Sequence, residues 1–261
     1  MLTKKPLLLV AHFLAAFTVL PVLVPVFAYL GWEGPADAIY WVYQWFCHQR
    51  PWRSYHMFDF QYAMDARMML MFGSMAIAAY LIYFKKIKPL RTKTALLFAL
   101  ILILPLAIDG TTQAIAEVMA VARDTLPFYE STNFIRSLTG LLLGTGVAFS
   151  MFPYLDLEVK GYSKLRDIIK GSLLTGVLSF LLILIFTFLW FITSAKYKPG
   201  SPLVDNVQRF PGYNYEITES AGHSTIGRTL RIDEVRLYLK RAKKYDKKTL
   251  MDEYYESVNG K

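Results

Sequence analysis

Three polar clusters interrupt an otherwise apolar chain. Cys47-His48-Gln49-Arg50-Pro51-Trp52-Arg53-Ser54 is the first, followed shortly by Asp65 and Arg67; Asp109-Gly110-Thr111-Thr112-Gln113 is the second; Ser131-Thr132-Asn133-Phe134-Ile135-Arg136 is the third. Two kinds of chemistry suit these side chains. His48 changes charge near neutrality and a carboxylate such as Asp109 can orient it, so the two are the candidate catalytic acid/base pair. Arg53, Arg67 and Arg136, with Arg50, carry guanidinium groups, which hold phosphate by paired hydrogen bonds. Asp65, Gln113 and Asn133 complete the candidate ligand-binding set.

Each group also has a structural role open to it. An ionisable side chain at membrane depth costs on the order of 3 kcal/mol, so Asp109 is retained where it is useful or paired, with Arg136 the first expected counter-charge and Arg67 the second. Gln113 and Asn133 are equally suited to hydrogen bonding between helices, and interfacial arginines such as Arg50 and Arg53 can snorkel. Thiolate, imidazole and carboxylate together suit zinc or iron, which makes Cys47, His48, Asp65 and Asp109, with His56, the candidate metal ligands. No His-x-x-x-His, Cys-x-x-Cys or Glu-x-x-His spacing supports such a site, and no cofactor is named by any motif. Gly140, Gly144 and Gly146 form a small-x-x-x-small face, which more often packs helices than binds a ligand.

The elements that must position these residues are membrane helices. Of 261 residues, 54% are hydrophobic and 19% charged, which excludes a disordered chain and an ordinary cytosolic enzyme; one cysteine excludes a disulfide scaffold. Uncharged stretches run from Pro6 to Trp32, Met68 to Phe84, Ser137 to Leu155 and Gly171 to Ala195. Thr94 to Ile108 is too short to span alone, but a helix continued through Gln113 to Glu117 reaches ordinary length with Asp109 inside it. Five spans result. Ala38 to Phe46, aromatic and uncharged, is expected to lie at the membrane interface.

Lysine and arginine orient the spans. Lys4 and Lys5, then Lys85 to Lys93, then Lys160 to Lys170 fall on one side, which should be cytoplasmic, so the N-terminus is inside and all three polar clusters open outward. The expected organisation is a transmembrane bundle over 1–195 and an extracytoplasmic tail over 196–261, loop-rich with short helices, in the inner (plasma) membrane. The net charge of +9 is interleaved with acids, which suits anionic lipid and no nucleic acid.

The pattern Cys-His-Gln, then Asp-Gly-x-x-Gln, then Ser-Thr-Asn-x-x-Arg leading into a glycine-spaced helix resembles an uncharacterised family of prokaryotic multi-spanning membrane proteins, a domain of unknown function. The likeness covers roughly residues 40 to 150. Members usually carry Cys-x-Arg-Cys near the start of a span, whereas this chain has Asp65-Ala66-Arg67-Met68, without either cysteine. The resemblance implies a shared fold and site and no particular activity. The expected fold is all-α, a bundle of five membrane helices. The leading functional expectation is an outward polar site for an anionic lipid or phosphate-bearing ligand, with acid/base action on it; the alternative is an accessory subunit of a membrane complex, docking protein partners through its tail. No nucleophile elbow, Walker loop or zincin helix is present to name a reaction.

Overall fold

A computed structural model of the chain describes residues 6–47, 53–58, 60–122, 128–129, 131–155 and 161–194. The expectations for the tail and for His48 lie outside the described residues. The helices are α1 (Pro6–Tyr29), α2 (Glu33–Tyr43), α3 (Ala66–Lys85), α4 (Thr92–Ala122), α5 (Asn133–Met151) and α6 (Leu165–Thr193), and α5 runs on into a 3₁₀ turn, Phe152–Leu155. Five segments are long and apolar enough to cross a membrane: Pro6–Tyr29, Ala66–Lys85, Thr92–Ala116, Asn133–Leu155 and Leu165–Thr193. The fold class is therefore an all-α, multi-spanning helix bundle. The apolar stretch too short to span alone is indeed part of one long helix, α4, with Asp109 inside it.

The described residues fall into two compact units. The first lies within Met1–Val19, Ala66–Thr111 and Thr132–Ile185. Its core joins Leu7, Ala11 and Leu14 of α1 to Ala78, Ala79 and Ile82 of α3, Ala148 and Phe149 of α5, and Ile168 of α6. The tightest contact is between α3 and α5. A Cβ placed on Gly140 would fall on the carbonyl oxygen of Arg67, and one on Gly144 on the carbonyl oxygen of Met71 and Oγ of Ser74. Lipid tails are as apolar as the helices, so close backbone approach rather than the hydrophobic effect holds such a pair together. Gly146 faces α4 instead, where a Cβ would lie 2.9 Å from Cβ of Leu102. All three glycines pack helices.

The second unit lies within Leu20–Asp65, Thr112–Ser131 and Phe186–Lys261. Here the structure adds an element that the sequence does not announce, an antiparallel hairpin of β1 (Ser54–Met57) and β2 (Phe60–Asp65). His56 pairs with Gln61 and Met57 with Phe60, with an irregularity between Ser54 and His56. Both faces of the hairpin are covered. Tyr55 and Tyr62 pack on Phe186 of α6, with ring centroids 5.7 and 5.8 Å away; Ser54-Tyr55-His56-Met57 alternates in sequence although its polar members are buried too, and β2 breaks the alternation at Tyr62-Ala63-Met64. Phe58 begins the turn at φ 54°, a left-handed conformation for which glycine or asparagine is the usual sign. Its N–H donates to Oγ1 of Thr193 at 3.1 Å.

The interfacial segment begins earlier than expected, at Glu33, and forms an amphipathic helix. Ala36, Tyr40 and Tyr43 of α2 are buried, as is Cys47 just beyond it, while Trp41, Val42, Trp45 and Phe46 are exposed. Trp41 and Trp45 stand edge to face, 6.3 Å apart. That exposed aromatic face has the composition of a membrane–water boundary.

The α3–α5 contact gives a direct test. Gly140→Leu should separate the helices and destabilise the purified protein by about 1–3 kcal/mol, read as a lower Tm. Gly176→Ala on α6, where a Cβ would meet nothing within 4 Å, should leave Tm unchanged or slightly raised, because alanine favours helix. Equal loss in both variants would show that the α3–α5 approach is not special.

Candidate functional site

In the first unit the polar residues come from three helices. α5 begins where Thr132 caps it: the extended backbone of Thr132 lets its Oγ1 accept the N–H of Ile135 at 3.2 Å. Part of the third polar cluster is thus a helix start, which sets Asn133 and Arg136 in the first turn of α5. Arg136 is only 2% exposed and donates from Nη1 to Oδ1 of Asn133 at 3.1 Å. Arg67 stands in the first turn of α3, its main chain pressed on Gly140, and its Nη2 donates to Oδ2 of Asp109 in a short ion pair. Asp109 is 6% exposed and the Arg67 side chain 22%. Gly110 lies beside the guanidinium, with Nη1 of Arg67 at ordinary contact distance, 3.6 Å, from where a Cβ would be.

Of the two counter-charges expected for Asp109, Arg67 is the one seen bonded to it, and Arg136 is seen bonded to Asn133. Arg67 is one of the two partners the sequence offers for Asp109, and the structure brings it there from α3. Gln113, buried, follows Asp109 by one helical turn on α4.

In the second unit the polar groups brace the hairpin. Tyr40 of α2 donates its hydroxyl to the carbonyl of Gln61 at 2.7 Å, and Nε2 of Gln61 donates to Oγ of Ser54 at 3.0 Å. Asp65 ends β2, and its N–H donates to Sγ of Cys47 at 3.3 Å, so the buried thiol ties the end of the α2 segment to the end of the hairpin. Arg53 and Asp65 are half-buried. Tyr40 and Gln61 are not among the expected site residues, and no motif marks them: Tyr40 lies in the aromatic interfacial segment, and Gln61 pairs with it only through the fold. Burial pushes the hydroxyls of Tyr40, Tyr43 and Tyr62 well above the usual phenol range, so all three stay protonated donors.

Among the described residues no group of three or more His, Cys, Asp or Glu side chains is placed to hold a metal ion. Of the expected ligands, His48 lies outside those residues, Cys47 accepts the Asp65 N–H, and Asp109 accepts from Arg67. His56 is buried in the hairpin with its ring 5.0 Å from that of Trp190. Its pKa is lowered to about 3, chiefly by burial, a backbone hydrogen bond with Ser54 opposing the shift.

That neutral imidazole makes stability depend on pH. The unfolded chain takes up a proton on His56 near pH 6.5 and the folded chain near 3, so the stabilisation is complete above about pH 6.5 and declines as pH falls, by at most about 1.4 kcal/mol per unit from this group. Thermal melts from pH 7.5 down to pH 5 should show a Tm slope in the natural protein that His56→Gln flattens. An identical slope in both would remove His56 as its cause.

The family described as "Predicted membrane protein (DUF2085)" matches residues 47–150, the stretch that carries all three polar clusters and the glycine-spaced α5. An uncharacterized protein of Methanocaldococcus jannaschii, MJ1492, is 33% identical over 158 residues, which cover 58% of this chain and 92% of that protein. No solved structure matches. On the extent of these matches, the chain belongs to the family of predicted membrane proteins designated DUF2085.

Proposed function

We propose that this membrane protein binds the phosphate-bearing headgroup of an anionic lipid, or a free phosphate-bearing ligand, through Arg67 and Arg136 in its first unit. The observation that carries the proposal is the Arg67–Asp109 pair. Asp109 is almost wholly enclosed and fixes one edge of the guanidinium, while the Arg67 side chain keeps 22% of its surface open. A guanidinium has five donors in a rigid fork, so one held by a carboxylate can still present N–H groups to an anion. Asn133 holds Arg136 in the first turn of α5, a second guanidinium that is enclosed rather than open. Ionisable groups at membrane depth are expensive, and a binding role explains why they are kept on three different helices. The sequence adds His48, a group able to move a proton, ahead of the same spans. In this proposal the arginines face outward, because the basic loops around Lys85 to Lys93 and Lys160 to Lys170 lie inside.

Two experiments test it. Arg67→Gln and Asp109→Asn should each destabilise by about 3 kcal/mol, since each leaves a largely enclosed charge behind, and the double variant should recover most of that loss. Phospholipid carried through detergent purification, counted by mass spectrometry, should fall in Arg67→Gln and stay low in the stable double variant. A double variant that is stable and retains its lipid would make the pair scaffolding only. For orientation, Ser201→Cys should react with a membrane-impermeant thiol reagent on intact cells; reaction only after lysis would reverse the assignment.

A further inference from the structure

Hydroxyl groups on the helices of the first unit fall into two sets. Most are satisfied by a carbonyl: Thr18 donates to Leu14 at 2.8 Å, Thr139 to Arg136 at 3.1 Å, Ser74 to Met71 at 3.0 Å, and Ser150 reaches Ala95 of α4 at 3.0 Å. This is the ordinary way for serine and threonine to live in an apolar bundle. Thr145 of α5 and Ser172, Thr175 and Ser179 of α6 depart from it. Their oxygens are buried and, among the described residues, make no hydrogen bond. Thr145 is 3% exposed, and Thr175 and Ser179 are fully enclosed.

Their placement is not scattered. Thr175 and Ser179 continue the buried stripe of α6 that starts at Ile168 and Gly171, each one helical turn after the last. Gly171 meets α5 at Phe149, whose Cε1 would lie 2.7 Å from a Cβ there, and the rings of Phe134 and Phe180 come within 6.4 Å farther along. The two helices therefore run side by side and antiparallel. One turn on from the Phe149–Gly171 contact stand Thr145 in α5 and Thr175 in α6, which places both hydroxyls along the same stretch of the seam.

We propose that Thr145, Thr175 and Ser179, extended by Ser172, form an internal site for bound water between α5 and α6. A hydroxyl can both donate and accept, and an internal water needs two to four such partners, which one hydroxyl cannot supply but a cluster on two helices can. A metal cation fits poorly. Magnesium or calcium takes about six or more oxygens, usually with carboxylates among them, and these four side chains are all neutral. Water placed here also removes the penalty of enclosing hydroxyls with nothing to bond.

The test uses the full chain in detergent. Thr145→Val and Thr175→Val keep the side-chain shape and remove the hydrogen-bonding group, while Thr175→Ser keeps it. X-ray radiolysis in ¹⁸O-labelled water reads internal water through oxygen incorporated into a neighbouring ring, here Phe149. The expected result is clear incorporation at Phe149 in the natural protein and in Thr175→Ser, reduced several-fold in the double valine variant, with Tm lower by about 2–4 °C for each valine. Phe149 free of ¹⁸O in the natural protein overturns the proposal. So does a valine variant that melts at the same or a higher temperature, because an enclosed hydroxyl with nothing bound to it is better replaced by a methyl group.

Discussion

The approach of α3 to α5 through Gly140 and Gly144 is the constraint on which the polar chemistry of the first unit depends. It is a contact of main chain with main chain, so it fixes the backbone of Arg67 itself rather than only the volume around it. From that fixed point the Arg67 side chain reaches α4, passes beside Gly110 and meets Asp109. Gly146 then sets α5 against Leu102 of α4. A single helix, α5, thereby governs the spacing of both helices that carry the ion pair. Larger residues at Gly140 or Gly144 would move a charge as well as loosen a seam.

Much of this was legible in the sequence because membrane spans announce themselves by length and lack of charge. Asp109 stood out for the same reason, as a charge where hydrocarbon should be, and the glycine spacing of α5 correctly pointed to packing. What stayed hidden were features that depend on partners far away in the chain. Arg67 could be named as a candidate partner of Asp109 but not placed, because the pair joins α3 to α4 across 42 residues. The β1–β2 hairpin has strands of only four and six residues, its second strand breaks the alternation at Tyr62-Ala63-Met64, and Phe58 takes the left-handed position in place of a turn dipeptide. The start of α2 at Glu33 was missed because Gly34 and Pro35 suggest a loop, although proline is well tolerated in a first helical turn.

The second unit shows a different economy of polar groups. Tyr40, Gln61 and Ser54 form a short chain of hydrogen bonds that ties α2 to the hairpin, and Cys47 adds a thiol acceptor at its other end. A two-stranded hairpin alone is marginal in water. Here its strands are held by side chains from α2 and by aromatic contacts with the end of α6, so its register is set from outside as well as by its own ladder.

The spans differ in length: α3 has 20 residues and α6 has 29. At helical rise α6 measures about 43 Å, more than the roughly 30 Å hydrocarbon core of a bilayer. Its two ends are accounted for differently. Arg166, Asp167 and Lys170 make the first turns polar, whereas the last turns, at Phe186 and Trp190, rest on the rings of Tyr55 and His56. At that end the hairpin takes the place of lipid, so an apolar helix longer than a bilayer is thick still finds cover.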